Sequence, residues 1–254
     1  MKLEISSPPP APLPTLAKRQ RVRVIIPRSQ AVYARLRAAG SSGLGARCVV
    51  GDISAGGMSA TLIEGSSFDL PREGFEAQVT LEHEGEEATV TARVVRSSAQ
   101  RVSLAFPNGG GDDRLNLPLL SLIARLVAAR VDHVDHRRWA KAMSSHLTHR
   151  HFYGAGYLDV RIETGPPAWW QVVFLEYVVA WSEREGAVTT GIIDRSFSSE
   201  RASNPLAVQP DVTRHRSPWP KLLQLASVIA TRCAAAQPSH ADAFDFVQRI
   251  LRRP

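Results

Sequence analysis

Cysteine is nearly absent from this 254-residue chain: Cys48 and Cys233 are the only two, far apart and without CxxC spacing. That excludes a disulfide framework and a zinc site built on thiolates. Long apolar runs are also missing. No stretch reaches 18 uncharged apolar residues, so no membrane-spanning helix is expected. Residues 1–16 (MKLEISSPPPAPLPTL) lack the apolar core of a signal peptide, which points to a reducing, cytoplasmic setting. Lysine is scarce as well, because nearly all of the 31 basic residues are Arg.

What remains suits a globular protein of one large or two ordinary domains, with 44% hydrophobic and 22% charged residues. The formal net charge is +7, with +3 before Gly111 and +4 from it onward, so there is no polarised basic tail. A basic balance favours anionic partners such as a nucleotide, a nucleic acid, an acidic protein or lipid headgroups, without choosing among them.

Two short stretches stand out. Residues 18–24 (KRQRVRV) space Arg19 and Arg23 four apart, with Arg21 between them. In an extended segment all three share one face. Residues 51–58 (GDISAGGM) place Asp52, Ser54 and Gly57 at offsets of 0, 2 and 5, with Gly56 beside the last. An acid, a hydroxyl and paired glycines let a backbone approach a flat polar ligand closely.

The linked pattern, RxxxR followed one hairpin later by DxSxxG, resembles the PilZ domain family, the bacterial receptors for cyclic di-GMP. The resemblance covers about residues 16–107. Arg19 and Arg23 match the family's arginine pair, and Asp52, Ser54 and Gly57 match its second motif. The implied function is a non-enzymatic cyclic di-GMP receptor, acting in motility or biofilm regulation. It would need no cofactor and would relay ligand capture to a protein partner, with the N-terminal loop folding over the ligand.

The chemistry of the residues agrees with that ligand. Cyclic di-GMP carries two phosphates and two guanines. A guanidinium fork donates paired hydrogen bonds to guanine O6 and N7 or to a phosphate. One such guanine contact is worth about 1–3 kcal/mol of discrimination, against about 8 kcal/mol for micromolar binding. Asp52 can accept from the guanine N1–H and N2–H2 edge, and Ser54 can donate to a phosphate. Arg93 and Arg96 are expected on the outer face opposite the acidic turn, with a position toward the ligand as the alternative.

Alternation and turn signals predict six strands, at residues 31–37, 46–53, 58–64, 75–81, 88–96 and 102–106. An acidic turn (EHEGEE) centres on Gly85. This reads as a small antiparallel barrel or sandwich, and the resemblance implies a six-stranded barrel. The expected organisation is a proline-rich leader at 1–16, the barrel at 17–107, a linker at 108–113 (NGGGDD) and an α+β domain at 114–254. The leader, with five prolines, suits an extended spacer.

In the second half, apolar spacing predicts helix from residue 117 to about 149, as one long helix or two shorter ones. His133, His136, His146, His149 and His151 fall in or beside that stretch, with Asp132 and Asp135. Residues 158–162 alternate as a strand. Residues 169–181 (WWQVVFLEYVVAW) form the most apolar run and read as one central, covered strand, with an aromatic stacking platform as the alternative. Residues 187–194 return as a strand, 195–217 form a long loop, and 218–236 and 239–253 close the chain as helices.

Two other functions compete with the receptor. One is a polyanion-binding module that keeps the barrel without the ligand, although nucleic acid is disfavoured as the partner. The other is a metal-dependent hydrolase built on the histidine cluster between His133 and His151. The cluster matches neither HExxH nor the His-Asp order of HD phosphohydrolases.

Overall fold

In the first half, small and β-branched residues alternate with polar ones, and each alternating run becomes a strand. In the computed structural model, which describes residues 23–38, 45–63, 72–106, 115–134, 148–154, 158–193 and 212–253, these are β1 (Val24–Ile25), β2 (Tyr33–Ala38), β3 (Ala46–Ser54), β4 (Gly57–Leu62), β5 (Glu76–His83), β6 (Glu86–Ser97) and β7 (Arg101–Ala105). All neighbours are antiparallel, in the order β3-β2-β5-β6-β7-β4, and β4 pairs back onto β3. The result is a closed six-stranded barrel. The short β1 adds a seventh strand to the edge of β3.

The barrel interior is unusually rich in alanine. Ala34, Ala46, Ala60, Ala77, Ala88 and Ala92 share it with Leu36, Val50, Ile53, Met58, Val79, Leu81, Val94 and Leu104, all buried. Six strands enclose little volume, so small side chains must alternate with larger ones to fill it without overlap. Cys48 lies in this interior, where burial pushes its thiol up to about 11. Cys233 in the second half is pushed up to about 12 by the same cause. At neutral pH both behave as small apolar side chains.

The acidic turn is the two-residue connection between β5 and β6. Glu84 and Gly85 both take positive φ, 49° and 79°, which matches the twist of a tight hairpin.

The helix α1 (Leu117–Ala128) is the only one found, among the described residues, in the stretch where helix was expected to about 149. Asn116 caps it by accepting from the Leu119 N–H at 3.0 Å. Ala129 and Arg130 then turn the chain into β8 (Val131–His133), and β9 (His149–Gly154) follows. Apolar spacing does not mark this end, since Val131 and Val134 still follow Val127 at four and three; the pairing of Val131–His133 with Phe152–Gly154 is what takes the chain out of the helix. Histidines 149 and 151 therefore lie on a strand, not on a helix.

The second half continues with β10 (Leu158–Glu163), β11 (Trp169–Phe174), β12 (Tyr177–Ser182), β13 (Val188–Ile193), β14 (Val212–Arg214), α2 (Pro220–Ala236) and α3 (Ala241–Leu251). Strands β8 to β14 form a seven-stranded antiparallel meander in sequence order. The apolar run at 169–181 is two strands, not one. Leu175 and Glu176 turn it back on itself, with Leu175 at φ 55°. No Gly, Asn, Asp or Pro marks that turn, and Leu175 is wholly buried, so tertiary burial outweighs the local cost of a left-handed leucine. Trp170 is fully buried, in keeping with a core rather than an exposed platform, while Trp169 and Trp181 are partly buried.

Helices α2 and α3 cover one face of this sheet. Phe152 on β9 meets Phe244 with ring centroids 4.5 Å apart, and Trp181 on β12 meets Phe246 edge-on at 5.7 Å. Helix α1 is buried on nearly every side because it lies between β6 of the barrel and α2, and its Val127 lies within 3.2 Å of a Cβ built on Gly154 of β9. The two halves thus share one continuous apolar core through α1. Ion pairs reinforce the junction: Arg125 of α1 bonds Glu86, and Arg232 of α2 lies 3.8 Å from Glu84.

Several expectations lie outside the described residues: the leader at 1–16, Arg19, Arg21, the linker at 108–113, His136, His146 and most of the 195–217 loop.

Candidate nucleotide site on the barrel wall

Strict alternation along β3 would bury Asp52. Ala46, Cys48 and Val50 all point inward, so the next inward position by count is 52. A β-bulge prevents this. The register against β4 shifts between Val50 and Asp52, which leaves Gly51 as the extra residue. Ile53 then takes the interior position, and Asp52 faces outward opposite Ser59. A bulge is the backbone device that re-aims one side chain without disturbing the rest of the strand.

Asp52 meets Arg23 there. The Arg23 guanidinium donates through Nη1 to Asp52 Oδ1, and the Ser59 hydroxyl donates to Asp52 Oδ2. The two charged side chains are 33% and 26% exposed, so the pair is open on one side to solvent. Arg23 immediately precedes β1, whose Ile25 pairs with Asp52 across the sheet edge. Ile25 is 75% exposed and forms an apolar rim beside the carboxylate.

Ser54 and the glycines form the adjoining corner. The Ser54 hydroxyl donates to the Gly57 carbonyl at 3.1 Å and accepts the Gly56 N–H at 3.2 Å. It is 3% exposed, so it organises the turn from within. Gly57 takes φ +157°, and a Cβ there would stand 2.3 Å from the Leu104 carbonyl oxygen of β7. Its lack of a side chain is required by strand packing alone. The Gly56 carbonyl accepts from the Phe106 N–H at 3.0 Å and ties the corner to the end of β7.

A second bulge mirrors the first. On β6 the register shifts between Val94 and Arg96, turning Arg96 outward opposite Ser103. Ser103 in turn pairs with Ser59. Asp52, Ser59, Ser103 and Arg96 therefore form one outward row across β3, β4, β7 and β6, about 14 Å long at ordinary strand spacing. Arg93 lies one row over, paired with Ala105, and its Nε donates to the Gly74 carbonyl at 3.3 Å.

Of the residues marked in the sequence, Arg23, Asp52, Ser54, Gly56 and Gly57 lie in this one region. Arg19 and Arg21 precede it, outside the described residues. Sequence reasoning missed Gly51, Ser59 and Ile25. The missing signal was parity: an acid on the inward count of a barrel strand implies a bulge.

The second half carries a different polar cluster. On the face of the sheet opposite α3, His151 Nε2 lies 3.3 Å from Asp159 Oδ1, and Arg161 grips Asp159 with two bonds of 3.0 Å. His149 lies 3.7 Å from Glu163. Burial pushes the Asp159 carboxyl up, but hydrogen bonds from His151 and Arg161 outweigh it and hold the group below its ordinary value. Among the described residues no three His, Cys, Asp or Glu side chains converge as metal ligands. Nor, among them, is any helix long and apolar enough to cross a membrane.

Comparison with known proteins bears on the first half. Curated proteins give no match. Among solved structures, the chain is similar to the PilZ domain with c-di-GMP of YcgR from Escherichia coli. Identity is 22% and the TM-score 0.36, over 43% of this chain and 92% of that one. The PilZ domain of CeSA from a cellulose-synthesizing bacterium is 16% identical with a TM-score of 0.32, over 40% of this chain and 94% of that one. YcgR in complex with c-di-GMP, also from Escherichia coli, is 24% identical with a TM-score of 0.31, over 42% of this chain and 44% of that one. The family model for the PilZ domain matches residues 17–127, a span that ends within α1. Residues 17–127 are therefore a PilZ domain, and the residues beyond 127 lie outside the match.

Proposed function

We propose that the protein is a cytoplasmic, non-enzymatic receptor for cyclic di-GMP, which it binds on the outer barrel wall beside Asp52. The observation that carries this reading is the meeting of Arg23 and Asp52, 29 residues apart, in a half-open pair at the edge of a PilZ barrel. Arg23 offers its guanidinium face and remaining N–H groups to a guanine or a phosphate. Arg19 and Arg21 add cations from the segment before it. Ile25 supplies apolar surface to the flat face of a base, and Arg96 supplies charge at the far end of the row. Ser54, Gly56 and Gly57 shape the corner against which the ligand rests.

Helix α1 is the route by which capture would reach a protein partner. It is buried against both β6 and α2, so a shift of the barrel wall moves it against both cores. Coupling requires that the ligand favour one of two arrangements by differential affinity.

Calorimetric titration of the full chain with cyclic di-GMP tests the reading. Wild-type protein should bind in the micromolar range. Arg23→Ala should weaken binding about 5- to 150-fold, the equivalent of about 1–3 kcal/mol. Undetectable wild-type binding, or equal binding by the variant, overturns it. A steep fall in affinity for any polyanion with rising salt, unaffected by Asp52→Ala, would mark a polyanion-binding module instead.

A further inference from the structure

We propose that Ser59 is a positioning residue of the nucleotide site: it fixes the Asp52 carboxylate, through which Arg23 is aimed at the ligand. This rests on reading the site as the cyclic di-GMP site and goes beyond it. Ser59 lies outside both motifs, and its role needs no contact with the ligand.

The geometry divides the carboxylate cleanly. Oδ2 accepts from the Ser59 hydroxyl and Oδ1 accepts from Arg23. Asp52 thus has one donor on each oxygen before any ligand arrives. Arg23 is a third exposed and sits at the chain's entry to a two-residue strand, so packing alone does not hold its long side chain. The ion pair with Asp52 is what orders it, and that pair is only as well placed as the carboxylate. Without a second bond, the carboxylate of an exposed Asp rotates freely about its last torsion. Ser59 removes that freedom from a rigid position, in the middle of β4 and paired on both sides. The Gly51 bulge makes the arrangement possible by bringing Asp52 opposite Ser59.

One donor on each oxygen leaves each a further acceptor site, so Asp52 orients the arginine and keeps the capacity to accept from a guanine. The arginine in turn reads the ligand. Ser54, in contrast, is spent in the turn.

The test is a titration of the full chain with cyclic di-GMP across wild type, Ser59→Ala, Ser59→Thr, Asp52→Asn and the Ser59→Ala/Asp52→Asn pair. Arginine side-chain Nε–H resonances of the ligand-free proteins are recorded alongside. Ser59→Ala should weaken binding about three- to tenfold, the size of one lost hydrogen bond. Ser59→Thr, which keeps the hydroxyl, should restore it. In the double variant the loss should match that of Asp52→Asn alone, because Ser59 acts through Asp52. The Arg23 resonance should be distinct in wild type and Ser59→Thr and averaged toward the bulk arginine position in Ser59→Ala. Wild-type binding with unchanged affinity and an unchanged Arg23 signal in Ser59→Ala overturns the role of Ser59 alone. So does full additivity in the double variant. Absence of wild-type binding overturns the reading of the site and the role together.

Discussion

The barrel and the meandering sheet use similar numbers of strands to opposite ends. The barrel closes on itself, fills its interior with alanine and valine, and turns its polar residues outward at two bulges. The sheet stays open, buries large aromatics against α2 and α3, and keeps a histidine–carboxylate cluster on its other face. Closure leaves a β-barrel with no room for a ligand inside, so any ligand site must lie on the wall, where register decides what faces out. An open sheet has a whole face to cover, and large side chains do so at little cost in register. In the first region, function follows from parity; in the second, stability follows from volume.

The largest expected effect tests whether these two regions are energetically separate. Ile123 is fully buried on α1, between them. Ile123→Ala should cost about 2–5 kcal/mol. Tryptophan fluorescence reports the second half, since all five Trp lie beyond residue 130, and hydrogen exchange of β3 amides reports the first. Both should fall together in denaturant. Two separated transitions would show that α1 does not couple the cores.

Next comes the corner of the site. Gly57→Ala drives a Cβ to 2.3 Å from the Leu104 carbonyl and should cost about 2–3 kcal/mol, seen as a lowered Tm. Gly51→Ala, whose Cβ would meet only Ser59 atoms at 3.6 and 3.8 Å, should stay within about 0.5 kcal/mol. If both are tolerated, the barrel wall is more yielding than its pairing implies.

A smaller effect sets the sheet apart by pH. Asp159 is held below its ordinary value in the fold, so its charged form is the stabilising one. That contribution is present above the unfolded carboxyl's value and lost as pH falls through the lower folded value. Asp159→Asn should lower stability at neutral pH and flatten the acid limb of a stability–pH curve. A parallel downward shift at every pH would show that the carboxylate's charge is immaterial. Smallest of all, Glu86→Gln breaks the surface pair with Arg125 and should cost no more than about 1 kcal/mol. A larger loss in denaturant titrations would make that pair a main support of the junction and not a minor one.

Much of the barrel was legible because its strands alternate with a period of two and its turns carry Gly45, Gly57 and Gly85. Legibility fell off in the second half. Leu175 and Glu176 carry no turn chemistry, so the residues about them read as one strand. The histidines after Val134 sit at spacings of two, three and more, which fit helix and strand alike. The pair of Arg23 with Asp52 was legible as a motif; the bond from Ser59 was not, because it depends on the bulge at Gly51 and on the register of β3 against β4.

Residue types and their order determined that there would be a small antiparallel barrel, an arginine-bearing segment leading into it and an acid–hydroxyl–glycine corner. Short-range periodicity and turn preference are properties of neighbours along the chain. The tertiary structure decided which way Asp52 faces, what holds it, and that α1 joins two cores into one. Those outcomes depend on strand register and on buried contacts between residues far apart in sequence; parity along β3 hints at the bulge, but the partners it brings together are set only by the fold.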